Sequence, residues 1–536
     1  MSNQHLVNIN KRLSEISPSF CTAKWGQVLF NLQVGQRHNC CLAKGQKINL
    51  DLVNQDPNAL FNDATLEQER SDMLQGKKIK SCEACWKPEA SGHFSDRHYK
   101  SGSDWAKPFY SPENHSVTNV IPTYVEVSFG NKCQMMCTYC SPLNSSALAR
   151  EAKKFGTYKL SHDHHILGPS TKLFMDEDED HIYAASFWEW FLQNNSHFKV
   201  LRFTGGEPLL SKWLYKFLDW LEVNPMPQVE IGFNSNLSLP SELMDKFFVK
   251  LNSIPKSHYK KIDFYTSLDG WGRGAEFARY GISLELFEQN IKKIQQRFPD
   301  SSIRVTATLN VFAFPDIKKL LEKMLEFKKN ETFLYQFAIT CYPISYPTFM
   351  SLKWTKEKYK SLYDEALHFI DQNLSEEFGK PGFYQFEKEY FMKAVLFEDQ
   401  VNQQVPLIDL YLFLTQFKHR KKINELDLPQ EVKDLFHEGE KLKEELKLEE
   451  LHPVIWAKLL PWISSLDKRK EIVFMLAQKI DEGEINPWEI FEVALEYHSY
   501  LNSRELMLLW YKTRKHQHVG DELIRRLKEK QLQIKA

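Results

Sequence analysis

Between residues 120 and 345, six short apolar runs rich in β-formers alternate with helical stretches, and no other feature of the chain restricts its fold as tightly. The runs are TYVEVSF (123–129), KVLRFT (199–204), VEIGFN (229–234), IDFYTSL (262–268), IRVTATL (303–309) and FLYQFAI (333–339). Between most of them lie helical segments such as SFWEWFLQ, LSKWLYKFLDWLE, SELMDKFFVKL and SLELFEQNIKKIQQRF. A strand, a helix and a second strand in succession require a crossover, which makes the strands parallel. Six units are too few for a closed eight-fold barrel, so the expected fold class is α/β, with a partial (β/α)6 barrel or an open sheet.

The flanking regions differ in texture. Residues 1–115 are loop-rich, and the chain beyond about 350 reads as helical. The expected divisions are a small cysteine-rich module (1–115), the partial barrel (116–350), a helical region (351–450) and a C-terminal helical domain (451–536). Thr355 stands where it would cap a helix through KEKYKSLYDEALHFI, and Asn486-Pro487 reads as a cap followed by a first-turn proline. The Lys- and Glu-dense stretch 418–450 reads as a solvated face or linker. The connection after the first strand, 141–185, is long enough for a lid or a solvated insertion. Formal net charge is −1, so nothing global draws the chain to nucleic acid or an anionic membrane. The sequence has no apolar run of transmembrane length, and MSNQHLVNINKRLSEISPSF lacks a signal-peptide core. A cytoplasmic protein with no membrane partner is expected.

Eight of the nine cysteines fall in the first 140 residues. In a reducing compartment, clustered cysteines point to metal or catalysis rather than disulfides. CQMMCTYC places Cys133, Cys137 and Cys140 in a C-x3-C-x2-C pattern directly after the first strand. Three thiolates on one loop can ligate three irons of a 4Fe–4S cluster and leave the fourth open. Zinc is a weaker reading, since structural sites take four ligands in paired units. Cys341 ends the last run and reads as a small buried hydrophobe. His162, Asp163, His164 and His165 form an HDHH cluster whose simpler reading is a solvated loop.

CQMMCTYC after a strand, with Tyr139 before the last cysteine, resembles the signature loop of the radical S-adenosylmethionine (SAM) enzymes. TGGEPLL (204–210), with Gly205, Gly206, Glu207 and Pro208, looks like their GGEP motif. NSN, with Asn234 and Asn236, matches their third-strand motif loosely. SLDG, with Ser267 and Asp269, follows the fourth strand, as in the peptide-modifying branch. Arg279 resembles the arginine that often meets the SAM carboxylate. The resemblance covers about residues 120–345 and implies a SAM site in which Glu207 pairs with the methionine ammonium. The placement is physically coherent, because ligands of parallel βα folds sit at the carboxyl ends of strands.

A second set joins Cys21, Gly35 and Cys40 as C-x13-G-x4-C to Cys82 and Cys85 as C-x2-C. This pattern resembles the four-cysteine Twitch module, a shortened relative of SPASM domains that carry auxiliary clusters. Here it precedes the barrel, whereas in the best-known arrangement it follows. Cys41 adjoins Cys40 and could replace it, although the spacing from Gly35 favours Cys40. A four-cysteine zinc site is the alternative.

The resemblance implies two 4Fe–4S clusters, SAM, and an external electron donor such as flavodoxin or ferredoxin. The implied reaction is hydrogen abstraction, with net oxidation or cross-linking of a peptide or protein. A dehydrogenase of a sugar-like or aminocyclitol metabolite is the alternative, and a non-catalytic iron–sulfur sensor the alternative of another class. Glu126, Ser128, Arg202 and Asn310 are candidates to line the barrel, each with a bland reading as a satisfied polar group. Trp86 and Trp105 read as packing residues.

Overall fold

The computed structural model describes residues 3–160, 181–329, 337–376, 380–395, 397–398, 403–423, 428–486, 490 and 525. The HDHH cluster and Pro487 lie outside the described residues, as does the start of the last expected strand.

The fold is α/β, a mostly parallel nine-stranded sheet with helices packed on it, and is compatible with a partial barrel. The strands in chain order are β1 (Gln27–Asn31), β2 (Gln36–His38), β3 (Gln46–Lys47) and β4 (Tyr124–Ser128). After β4 come β5 (Met136–Cys137), β6 (Val200–Thr204), β7 (Met226–Asn234) and β8 (Tyr259–Ser267). The last are β9 (Arg279–Tyr280), β10 (Ser302–Leu309) and β11 (Phe337–Pro343). The order across the sheet is β11-β10-β8-β7-β6-β4-β1-β2-β3. The first five expected runs form strands, the sixth does so over its described residues 337–339 with the strand continuing to Pro343, and each strand pairs in parallel with the next.

Period-two alternation divides the sheet into two faces. Val125, Val127, Leu201, Phe203, Ile231, Phe233, Ile262 and Phe264 are buried on one of them. Helices Lys212–Val223 and Ser241–Ser253 cover that face, with Phe203 against Phe217 at 4.8 Å and Phe233 against Phe247 at 5.2 Å between ring centroids. Each such side chain contributes about 1.5–3 kcal/mol by leaving water. The intervening residues, including Glu126, Arg202, Gly232, Asn234, Tyr265 and Ser267, occupy the other, inner face. Their register is continuous across neighbouring strands, with Glu126 beside Arg202 and Arg202 beside Gly232.

The N-terminal region is built into this sheet. β1 pairs in parallel with β4, from Gln27 beside Tyr124 to Asn31 beside Ser128, and β2 and β3 extend it antiparallel. At the far side of the sheet lies β11. There burial pushes up the Tyr342 phenol, and Asp96 and Cys41 add to the shift.

The helical region also closes on the strands. Thr355 precedes helix Lys356–Gln372 but makes no side-chain cap, because its hydroxyl donates to the Leu352 carbonyl at 2.9 Å. Glu387 accepts from the Ile339 amide of β11 at 2.8 Å and pairs with buried Lys328 at 2.5 Å. Helix Gln404–Lys421 lies against the cysteine loop. Its Phe417 meets Tyr280 at 5.5 Å, and Lys421 Nζ donates to Met136 Sδ at 2.8 Å. Among the described residues, no helix is long and apolar enough to cross a membrane.

Candidate active site

Cys133, Cys137 and Cys140 line one cavity of about 230 Å³ at the carboxyl ends of the parallel strands. Its walls include Tyr139, Gly205, Gly206, Asn234, Asn236, Ser267 and Arg279, so residues from five separated segments converge as expected. Arg202, Tyr265 and Thr306 complete the inner side.

The cysteine loop is anchored by its backbone. Gly206 N–H donates to the Gly130 carbonyl at 3.2 Å, and Glu207 N–H to the Lys132 carbonyl at 2.7 Å. Gly205 has φ +119°, and a Cβ there would lie 2.6 Å from Ser128 Oγ. A Cβ on Gly206 would meet the Lys132 carbonyl oxygen at 2.5 Å. The glycine pair is therefore what lets the second strand's turn sit on the cysteine loop. From the opposite side, β5 and β9 form a two-stranded ribbon that places Cys137 beside Arg279. Asn236 and Gln134 exchange side-chain amide hydrogen bonds at 3.2 and 3.3 Å, tying the NSN turn to the same loop.

Burial raises all three thiols, Cys140 to about 12, while the Arg279 guanidinium partly counters the shift at Cys137. As thiols they are neutral, and a bound metal would have to supply the positive charge that deprotonates them. Arg279 in turn pairs with Asp269 at 3.2 Å. Asp269 is fully buried, accepting from Tyr139 Oη at 2.5 Å and from the Thr308 amide at 2.9 Å. Tyr139 thus holds the cysteine loop through Asp269, which does not itself line the cavity.

Glu207, the residue expected to meet an ammonium, has backbone amides as its partners here. Its carboxylate accepts from the Asn236 amide at 2.8 Å and the Leu209 amide at 3.3 Å, and it lies outside the cavity lining. Burial pushes its pKa up to about 7. Pro208 opens a short 3-10 turn behind the same wall. Asn310 is a satisfied core group, donating to the Thr308 carbonyl at 2.8 Å and accepting from the Phe312 and Ala313 amides, both at 3.1 Å. Ser128 is buried under Gly205. Tyr265, Thr306 and Gln134 were missed by sequence reasoning. The polar alternation along the fourth and fifth runs was the available signal for the first two.

The second set converges as well. Cys21, Cys40, Cys82 and Cys85 line one small cavity of about 20 Å³ together with Arg97 and Lys100. Burial pushes Cys21 up to about 12, with Cys82 and Cys40 adding to the shift. Cys41 is exposed, lies outside that lining, and contacts Lys100 Nζ at 3.5 Å. Trp86 is a packing residue, donating to the Ile79 carbonyl at 2.9 Å. Trp105 belongs to a small cluster with Ala23 and Ala106, against which Cys21, Cys40 and Tyr124 pack, and it lines the chamber on the inner face of the sheet. Cys341 is buried, as read.

Both donor sets fit an iron–sulfur group by their chemistry. Seven thiols face two cavities, cations stand beside each, and the larger cavity has no His, Asp or Glu and no fourth thiol in its lining. Among the described residues, no group of three or more His, Cys, Asp or Glu side chains is arranged to hold a metal ion. Searches of known protein families, curated proteins and solved structures find no match to the chain.

Proposed function

We propose that this chain is a radical SAM enzyme whose reaction is a net oxidation or cross-linking of a peptide or protein. One observation carries the reading: three thiols, the glycine turn, Asn234, Asn236, Ser267 and Arg279 line a single cavity at the strand ends. Cys133, Cys137 and Cys140 would hold one 4Fe–4S cluster, and Cys21, Cys40, Cys82 and Cys85 a second, auxiliary one. When bound, the first cluster and SAM together supply one-electron cleavage to methionine and 5′-deoxyadenosine, with a substrate hydrogen taken in the process.

The chain's own residues bind and orient. Arg279 presents a guanidinium, held by Asp269, to the cavity beside Cys137. The Asn236 and Ser267 side chains offer neutral hydrogen-bonding groups, and Gly205 and Gly206 leave room for a ligand at the backbone. Glu207 positions Asn236 through its backbone amide. Helix Gln404–Lys421 covers the loop and limits water. Cys21 and Cys40 of the auxiliary set pack against the Ala23, Trp105 and Ala106 cluster, as Tyr124 of the inner face does, and a second set of this kind suits removal of an electron from the substrate.

A sensor needs the thiols but no adjoining space, so the cavity beside them favours an enzyme. The inner face also opens, towards the amino ends of the strands, on a chamber of about 980 Å³, room enough for a peptide side chain or a small metabolite. The test is anaerobic incubation of the reduced protein with SAM. 5′-Deoxyadenosine and methionine should appear for the native chain and not for the triple Cys133, Cys137 and Cys140→Ala variant. Equal cleavage by both would remove the assignment.

A further inference from the structure

The inner face of the sheet carries a prepared cation between the thiol cavity and the larger chamber. Arg202 and Tyr265 line both. The Arg202 guanidinium carbon lies over the Tyr265 ring, 3.7 Å from its centroid. Its Nε donates to Asn234 Oδ1 at 2.6 Å, and its Nη1 reaches Tyr124 Oη at 3.4 Å and Glu126 at 3.7 Å. Nη2 makes no hydrogen bond among the described residues and is left for a ligand.

This arrangement requires the gap at Gly232. β7 stands between β6 and β8, and a Cβ on Gly232 would lie 3.1 Å from both Arg202 Cγ and Tyr265 Cε2. The absence of a side chain at that position lets Arg202 cross β7 to reach Tyr265 without displacement of either side chain. A guanidinium stacked and hydrogen-bonded in this way loses little freedom when it binds a planar anion.

The charge balance points the same way. The acids of this face are already matched. Glu126 has Arg202, Glu230 has Lys260 at 2.8 Å, and Asp263 has Lys261 at 2.9 Å. Arg304 lies two residues before Thr306 on the same face of β10, with its guanidinium 6.0 Å from the Tyr265 centroid. It has no acidic partner among the described residues. Tyr265 is thus flanked by Arg202 and Arg304, leaving a surplus positive charge.

We propose that Arg202, with Arg304 across the Tyr265 ring, binds a carboxylate of the substrate and so sets which carbon faces the thiol cavity. This substrate class rests on the enzyme reading above, but its binding can be tested without SAM or turnover. The carboxylate could belong to an acidic peptide side chain or to a small free acid, and the probes separate the two. The peptide pair is acetyl-Ala-Glu-Ala-amide and acetyl-Ala-Gln-Ala-amide, and the free pair is 3-phenylpropionate and its amide. Binding is measured by ligand-observed NMR on the full chain with its metal content unchanged.

In at least one pair the acid should bind about tenfold more tightly than its amide, the scale of a charge-assisted hydrogen bond. Arg202→Gln should abolish that preference, and the exposed Arg304→Gln should reduce it. Preference only in the peptide pair assigns a peptide carboxylate, and preference only in the free pair a small acid. Equal binding of acid and amide in both pairs, or a preference that survives both substitutions, overturns the proposal. SAM cleavage measured in parallel reports separately on the enzyme reading.

Discussion

The two thiol sets differ in what surrounds them. Cys133, Cys137 and Cys140 share a cavity of about 230 Å³ with amide, hydroxyl and guanidinium groups from several strands. Cys21, Cys40, Cys82 and Cys85 share one of about 20 Å³, walled by apolar side chains, Arg97, Lys100 and Asp96. The first set has fewer thiols and more room, and the second more thiols and almost none. Space beside an incomplete ligand set is what a reactive centre needs, whereas a complete, enclosed set suits electron transfer or structure. Trp105 and Tyr124, with ring centroids 5.5 Å apart, bound the chamber on the inner face.

The largest effects should come from emptying one set at a time. The reconstituted native chain should hold about eight irons, and the Cys133, Cys137 and Cys140→Ala variant about four. Cys82→Ala with Cys85→Ala should remove the other half while leaving SAM cleavage without substrate intact. Iron and sulfide analysis beside a 5′-deoxyadenosine assay reads both. Loss of all iron from either variant would show that the sets are not independent. Circular dichroism must first show the variant folded, because a cluster also holds its own loops.

The next effect concerns Glu207, behind the open cavity. Its pKa of about 7 in the folded chain exceeds the unfolded value of about 4.3, so folding favours the protonated form. That contribution is complete below about pH 4 and is lost as pH rises to about 7, a change of about 4 kcal/mol. Glu207→Gln should flatten this part of the stability profile in urea unfolding between pH 4.5 and 7.5. A variant that tracks the native chain across that range would return the carboxylate to solvent or to a cationic partner.

A smaller change is expected at Tyr139. Tyr139→Phe removes the hydroxyl that donates to buried Asp269, while the Thr308 amide and Arg279 remain. The expected loss is about 1–3 kcal/mol of stability, measured by urea unfolding, with the iron count unchanged. The smallest effect separates two neighbours. Cys41→Ser should leave the iron content as it was, and Cys40→Ser should lower it. The reverse result would move the auxiliary ligand to the exposed thiol.

Much of the architecture was legible in the chain. The six parallel strands follow from short apolar runs separated by helices, a signal that period and length set locally. The three-cysteine loop and the glycine turn were visible for the same reason, each being contiguous. β1 was not, because VLFN is a brief run in loop-rich surroundings, and its status as a strand depends on pairing with β4 across about ninety intervening residues.

What the sequence by itself determined is which runs are strands and where the cysteine and glycine motifs stand along them, since composition and period act over a few neighbouring positions. The tertiary structure alone decided their company. Parallel register brings Arg202, Gly232 and Tyr265 side by side, and the docking of the TGGEP turn spends the Glu207 carboxylate on backbone amides. It also sends Cys40 into a pocket and leaves Cys41 outside. These outcomes depend on contacts between segments far apart in the chain, where shifting a strand by one residue reverses the face each side chain occupies.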